Sequence, residues 1–380
     1  MTLMPIQVAS FCPSLPIIVK SFFGKSSEDK LLQALASHFN IFSDERFFLS
    51  PLFPKGRSAA FFLYHYLKEQ YKATQLHLPA YTAQSLVYAG EAAGLEIVLH
   101  EVDPDTLFFT KEALEEIAGV RQKNIVVLPY LWGHVEMREQ ALAILGSTES
   151  IIIEDFATCY CEKRLELPPN HFGFLFSLGK TKLFSIGEGG LLFTKKKIEP
   201  PLAYRFSFWH GLNLILYLIY STPLFFALLC FFRLLPRETY PLDKTIAQYY
   251  LSGYWLRLLE NFLRDGAFQK KLEARETLLE KYQHLFEDSA SSFPDHAGSR
   301  FPVLLESKET RDEIHRILNR SHIQSSRGYI DPIFNVASLK NLGFPSNEAA
   351  QDVSERLLTL PLHEYALKKF GQIARALKDR

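Results

Sequence analysis

The chain has 380 residues, enough for one large domain with a smaller companion and for a sizeable buried core. Its 42 basic residues balance 42 acidic ones without any basic tract or charge asymmetry, which excludes a nucleic-acid binder held by phosphate contacts. Cys12, Cys159, Cys161 and Cys230 are too few for a disulfide framework, and Cys159-x-Cys161 lacks the spaced second pair of a zinc site, so buried thiols in a reducing cytosol are expected.

The apolar stretch from Val8 to Phe23 is broken by Pro13 and Pro16 and has no basic residues before it, a poor secretory signal. Leu31, Leu32, Leu35 and Phe39 stand at helical spacing and predict a helix over 27–40. A second helix, 58–71, is apolar nearly all round and is expected to be buried. Strands and helices then alternate: strand 75–78, helix 83–93, strand 96–101, helix 111–117, strand 124–129, helix 137–145 and strand 150–154. Short connections between such elements predict a mainly parallel sheet with helices on both faces. Two further strands, 172–177 and 190–194, flank a turn that carries Lys180 and Lys182.

Pro200-Pro201 closes this large domain, and the 22 residues from Gly211 to Phe232 that follow carry no charge. Arg205 and His210 precede that segment, and Arg233 and Arg237 follow it. A helical region is predicted over 242–286, then strand 301–306, helix 310–320, a Gly-Tyr-Ile-Asp-Pro loop, and helices 347–358 and 364–377. The expected organisation is a large domain over 1–200, an apolar insertion over 201–240, and connecting helices with a small α/β domain over 241–380.

Chemistry concentrates at three places. Gly56-Arg57-Ser58 opens a strong helix, where backbone N–H groups, the helix dipole and the Ser58 hydroxyl form an anion site. The run Ser150 to Asp155 reads as a buried strand ending in two carboxylates, and alternation turns Glu154 and Asp155 to opposite faces. Lys182 lies on a small-residue turn before Gly187-Glu188-Gly189-Gly190, which suits an amine held rigidly enough to condense with a carbonyl. A pyridoxal phosphate enzyme needs such a pair, a lysine for the Schiff base and an acid for the pyridinium nitrogen. No Gly-x-Ser-x-Gly elbow supports a Ser-His-Asp hydrolase, and no Gly-x-Gly-x-x-Gly supports a dinucleotide site.

These signals, in order with Leu78-Pro79-Ala80-Tyr81-Thr82, Leu128-Pro129-Tyr130-Leu131-Trp132-Gly133 and Leu360-Pro361-Leu362-His363, resemble the DegT/DnrJ-type sugar aminotransferases over most of the chain. The resemblance implies a fold-type-I α/β architecture, with a mainly parallel sheet between helices in the large domain plus a smaller C-terminal α/β domain. It implies pyridoxal 5'-phosphate as cofactor. Lys182 would be the Schiff-base lysine, chosen over Lys180 because the family's Ser-x-x-x-x-Lys spacing starts at Ser177. Asp155 would hold the ring nitrogen, Gly56, Arg57, Ser58 and Ser177 the phosphate. Thr158 stands where the family carries Gln or His, and would bond the phenolic oxygen. The family's stacking aromatic falls on Ala83, which cannot stack, so Tyr81 or Trp132 is expected in that role.

The implied activity is transfer of an amino group from an amino acid, glutamate as usual donor, to a nucleotide- or lipid-linked keto-sugar, by a homodimer whose sites are completed across the interface. Lysine rather than histidine at 182 argues against the family's sugar dehydratases. The departures at Ala83 and Thr158 keep alternatives open: another pyridoxal phosphate reaction class, or a non-catalytic relative at the membrane. A single pass through 211–232 would separate parts that the resemblance packs around one cofactor. Pro223 divides the segment into halves of roughly ten residues, each too short to cross. A hairpin dipping into one leaflet from the cytoplasmic face fits these facts, and burial against the protein's own core or a second subunit is the alternative.

Overall fold

The computed structural model describes residues 15–21, 31, 47–159, 165–179, 182–205, 246–264, 266–287, 293–294 and 296–378. The predicted helix over 27–40 (apart from Leu31), the apolar segment 211–232 and Lys180 lie outside the described residues.

Helix α1 (Leu15–Lys20) and strand β1 (Phe48–Leu49) precede α2 (Gly56–Tyr71), β2 (Gln75–Pro79), α3 (Gln84–Ala92) and β3 (Glu96–His100). A small hairpin, β4 (Val102–Asp103) and β5 (Phe108–Phe109), leads to α4 (Lys111–Ala118), β6 (Asn124–Pro129), α5 (Arg138–Leu145), β7 (Ile151–Asp155), β8 (His171–Ser177) and β9 (Gly190–Thr194). One seven-stranded sheet results, in the order β1-β9-β8-β7-β6-β2-β3. Strands β8, β7, β6, β2 and β3 are parallel, and β9 runs antiparallel to both its neighbours.

Unbroken apolar runs such as Ile125-Val126-Val127-Leu128 mark strands covered on both faces. On one face Val126, Leu128 and Ile152 meet Leu114, Ile117 and Leu142 of α4 and α5. On the other, Ile125, Val127 and Ile153 meet Leu63, Tyr64 and Leu67 of α2 and Val87 of α3. The fold is therefore mixed α/β with a mostly parallel central sheet between helices.

Strands β10 (Tyr204–Arg205) and β11 (Tyr250–Leu251) pair in parallel, Tyr204 with Tyr250, so the chain that leaves after Arg205 comes back to the same place. The region predicted as helical over 242–286 contains β11 and two helices, α6 (Gly253–Arg264) and α7 (Ala267–Phe286), parted at Gly266 with φ +65°. Helix α7 bridges two cores, with Phe268 and Leu272 in the first and Leu278, Tyr282 and Phe286 in a C-terminal one.

The C-terminal core is built on β12 (Arg300–Leu304), α8 (Lys308–Arg320), two 3-10 turns at Ile333–Asn335 and Ala337–Leu342, α9 (Glu348–Arg356), β13 (Leu357–Pro361), α10 (Glu364–Lys368) and α11 (Phe370–Lys378). Strand β13 pairs antiparallel with β12, Val303 opposite Leu358, where the sequence had predicted helix to 358. The leucines of Leu357-Leu358-Thr359-Leu360 fit a buried helix end as well as a buried strand, and the partner strand decides the matter. Tyr81, Leu131 and Trp132 pack on Leu304, Val353 and Leu357, which ties this part to the loops at the C-terminal edge of the large sheet. Among the described residues no helix is long and apolar enough to cross a membrane.

Candidate active site

Parallel strands end on a common edge, and open α/β sheets take their ligands there. Pro129 ends β6, Asp155 ends β7 and Ser177 ends β8, and all three line one cavity with an empty volume of about 490 Å³, part of it open to solvent.

The floor of the cavity brings distant parts of the sequence together. Phe53 exchanges two backbone hydrogen bonds with Gly190, at 3.0 and 2.9 Å, and Gly190 pairs with Ser177 across β8 and β9. The start of α2 is thereby pinned beside the end of β8. The approach requires glycine: a Cβ on Gly190 would stand 2.6 Å from Gly56 Cα, and one on Gly56 would stand 2.9 Å from Ser177 Oγ. Gly56 and Arg57, the first residues of α2, line the cavity, and no side chain caps this helix. Its first-turn N–H groups have no partner within the helix, so this end of the cavity, beside Ser177, is a cradle that could accept an anion.

Lys182 and Asp155 line the same cavity. The Lys182 N–H donates to Gly179 O at 2.9 Å, and the loop is closed by Leu178 N–H to Gly189 O at 2.9 Å and Ile186 N–H to Leu178 O at 3.2 Å. Burial pulls the Lys182 amine below the ordinary lysine range, Asp155 opposes that shift and Arg300 adds to it. A lowered lysine is a better nucleophile at neutral pH because more of it is the free amine. Asp155 is only 6% exposed, and burial pushes its carboxyl up to about 6 against the pull of Lys182 and of the Ala157 N–H, which donates to Oδ1 at 2.8 Å.

Glu154 turns to the opposite face, as strand alternation requires. Its Oε1 accepts from Arg138 Nε at 2.6 Å and from the Tyr130 hydroxyl at 2.7 Å, and its Oε2 accepts from Arg138 Nη2 at 3.1 Å and lies 3.0 Å from His171 Nε2. Burial alone would raise this carboxyl, but Arg138 and His171 outweigh it and hold it well below the usual range. It is a structural ion cluster under the active strand.

Other predicted site residues are placed differently from the expectation. Ser58 is fully buried, and its Oγ accepts from Ala247 N–H at 3.1 Å rather than lining the cavity. Thr158 lines the cavity, but its hydroxyl donates to Tyr130 O and accepts from Trp132 N–H, both at 3.0 Å, so it serves to brace the Leu131-Trp132 turn. Ala83 lies in the wall, where it offers only a methyl group. Tyr81 and Trp132 stand one layer behind. The Tyr81 hydroxyl accepts from Tyr329 N–H at 2.9 Å, and the Trp132 ring packs on that of Tyr329 at 5.4 Å.

Two aromatics line the cavity, Tyr130, whose hydroxyl is held by Glu154, and Tyr329. Sequence reasoning missed Tyr329, and the available signal was the Tyr in the Gly-Tyr-Ile-Asp-Pro loop between two regular elements. Burial raises its phenol above the ordinary range, with Asp155 adding and Arg300 opposing. The site thus draws on the C-terminal part of the chain as well as on the sheet.

No protein-family model and no curated protein sequence matches the chain. Solved structures match it over nearly its whole length. The aminotransferase TlmJ from Streptoalloteichus hindustanus superposes with a TM-score of 0.69 at 18% identity, covering 98% of this chain and 99% of that one. PseC of Helicobacter pylori, an aminotransferase of pseudoaminic acid biosynthesis, gives 0.70 at 15% identity, covering 99% and 98%. GDP-4-keto-6-deoxy-D-mannose-3-dehydratase of E. coli, with bound hydrated PLP, gives 0.68 at 15%, covering 99% and 100%. The chain has the fold-type-I architecture. Within that class its likeness is to sugar aminotransferases of the DegT/DnrJ/EryC1/StrS type, a likeness of fold at these identities.

Proposed function

We propose that this protein is a pyridoxal-phosphate-dependent aminotransferase that carries an amino group from an amino acid, glutamate for preference, to a nucleotide- or lipid-linked keto-sugar. The observation that carries the reading is the meeting of Lys182 and Asp155 in one cavity whose floor is an uncapped helix start beside Ser177. The residues fit the cofactor in chemistry. The first turn of α2, Ser177 and Arg57 suit its phosphate, Asp155 suits its ring nitrogen, and Lys182 suits its aldehyde. Tyr329 supplies the aromatic surface that Ala83 does not. When bound, pyridoxal phosphate supplies the electron sink that allows an amino acid's Cα–H bond to break.

The chain's own part is to hold, orient and move protons. Asp155, ionised above about pH 6, presents a negative charge at the floor of the site and favours a protonated base against it. Lys182, with its amine lowered by burial, takes a proton at Nζ from the donor and returns it within the cavity.

Absorbance of the purified protein between roughly 320 and 430 nm, before and after glutamate, tests the reading. A cofactor band that changes on adding glutamate is expected. An unchanged band would favour another reaction class, and no band a non-catalytic relative. The same reading divides the chain into a cofactor-binding part over 1–200, an insertion over 201–240 and a connecting and small part over 241–380. It also expects a cytoplasmic homodimer, tested by sedimentation, with segment 211–232 in contact with the inner face of a membrane.

A further inference from the structure

The two carboxylates that end β7 are served unequally. Glu154 turns to one face, where the Tyr130 hydroxyl, Arg138 and His171 all reach it. Asp155 turns to the other. Among the described residues its carboxylate accepts one hydrogen bond, from Ala157 N–H to Oδ1 at 2.8 Å, and none at Oδ2. A carboxylate has room for about four, and a buried one with so few holds its charge poorly.

The face to which Asp155 turns is the one covered by α2. Ile153, two residues back along β7, lies in the core shared by Leu63, Tyr64 and Leu67, and strand alternation puts Asp155 on the same side. Helix α2 starts at the cavity, where Gly56 and Arg57 line it. Tyr64 stands farther down the helix, about 12 Å from its start at 1.5 Å per residue. Side chains on a helix lean toward its N-terminus, so a tyrosine here reaches back toward the strand ends rather than away from them.

Tyr64 has the complementary need. It is fully buried, and its hydroxyl has no hydrogen-bond partner among the described residues. Burial raises this phenol well above its ordinary range and the Asp155 charge raises it further, so it keeps its proton and is ready to donate. A hydroxyl shut away from water without an acceptor is rare in a native core, and phenylalanine would fill the same space without that cost.

We propose that Tyr64 is a positioning residue: its hydroxyl donates to Asp155 from the helix side and holds the ionised carboxylate facing into the cavity. Arg57, Lys182 and Tyr329 share the cavity with Asp155, whereas Tyr64 lies outside its lining. The bond therefore steadies the acid without occupying space that a ligand needs. What it does for catalysis rests on the proposed function, whereas the bond itself belongs to the chain without cofactor.

The test uses the full cofactor-free chain with isotope-labelled aspartate carboxyls, read by NMR, the Asp155 signal being assigned by its absence in Asp155→Asn. Tyr64→Phe keeps the ring in the core and should raise the midpoint of Asp155 by about one pH unit, a tenfold loss of acidity. Melting gives a second readout. With the bond lost, the variant should melt below wild type near pH 8, and the gap should narrow toward pH 4, where Asp155 holds its proton in both. A hydroxyl with no partner predicts the reverse, a variant that melts higher than wild type. An unmoved midpoint, or the higher melting, would overturn the proposal. The cofactor band of the wild-type protein is read separately: its absence would sink the proposed function and leave the bond to stand or fall on the titration.

Discussion

Asp155→Asn separates the demands of stability from those of chemistry at one carboxyl. Burial raises Asp155 from its ordinary 3.8 to about 6, with the attraction to Lys182 already included. Below pH 3.8 both folded and unfolded chains hold the proton and nothing is lost. As pH rises from there to 6, the unfolded chain ionises first, so stability falls; above 6 the loss levels off. Two pKa units at about 1.4 kcal/mol each make the loss about 3 kcal/mol. An unfolding entropy of about 2.1 cal/mol/K per residue gives about 0.8 kcal/mol/K for a chain of 380 residues, hence a melting shift of about 4 °C. The cofactor-free Asp155→Asn protein should therefore melt about 4 °C above wild type at pH 8 and together with it near pH 4, while the turnover of the cofactor-loaded variant drops by several orders of magnitude. Differential scanning calorimetry of both cofactor-free proteins across that range is the assay. A variant that melts below wild type at pH 8, or a gap that does not close toward pH 4, would refute the reasoning.

Borohydride reduction followed by peptide mapping should place the cofactor on Lys182, and Lys182→Ala should carry none while Lys180→Ala keeps it. Arg138→Met leaves Glu154 buried with one cation fewer and should cost about 3–5 kcal/mol in urea unfolding, with Asp155 and Lys182 untouched. Gly190→Ala drives a methyl into the Gly56 backbone and should cut turnover about a hundredfold through a displaced cradle, read as kinetics alongside an unchanged far-UV spectrum. Tyr81→Phe removes the acceptor for the part-buried Tyr329 N–H and should cost about 1 kcal/mol, measured by denaturant unfolding.

Much of the fold was legible because its signals are local. The apolar runs of β6 and β7 and the helical spacing of α5 give elements within a residue or two of those seen, since each stretch has the same preference alone as in the fold. Strand β13 was not legible, because Leu357 to Leu360 is extended only through its partner β12. The lysine, the carboxylate and the glycine turn could be named in sequence because their chemistry is carried by residue type. Side-chain direction could not be. Ser58 reads as part of an anion site, but as the third residue of α2 it turns its hydroxyl to Ala247, and Tyr81 is drawn behind the wall by a bond to a loop far along the chain. Tyr329 enters the cavity only because Tyr81 and Trp132 fix a loop that has no periodicity of its own.

The position of Gly190 has a consequence for how the polypeptide matures. It sits between Ser177, a near neighbour along the chain, and Gly56, a distant one, and its hydrogen bonds to Phe53 bring the two together. Contacts so remote in sequence close slowly, after local helices and hairpins have formed. Until β9 has docked against both β8 and the approach to α2, the half-built anion cradle has only the helix or only the serine. On the proposed function, capture of the cofactor's phosphate would thus be reserved for chains that have completed the central sheet, and by mass action that ligand would draw late intermediates forward. The same two glycines that shape the floor of the cavity would then act as a checkpoint on assembly.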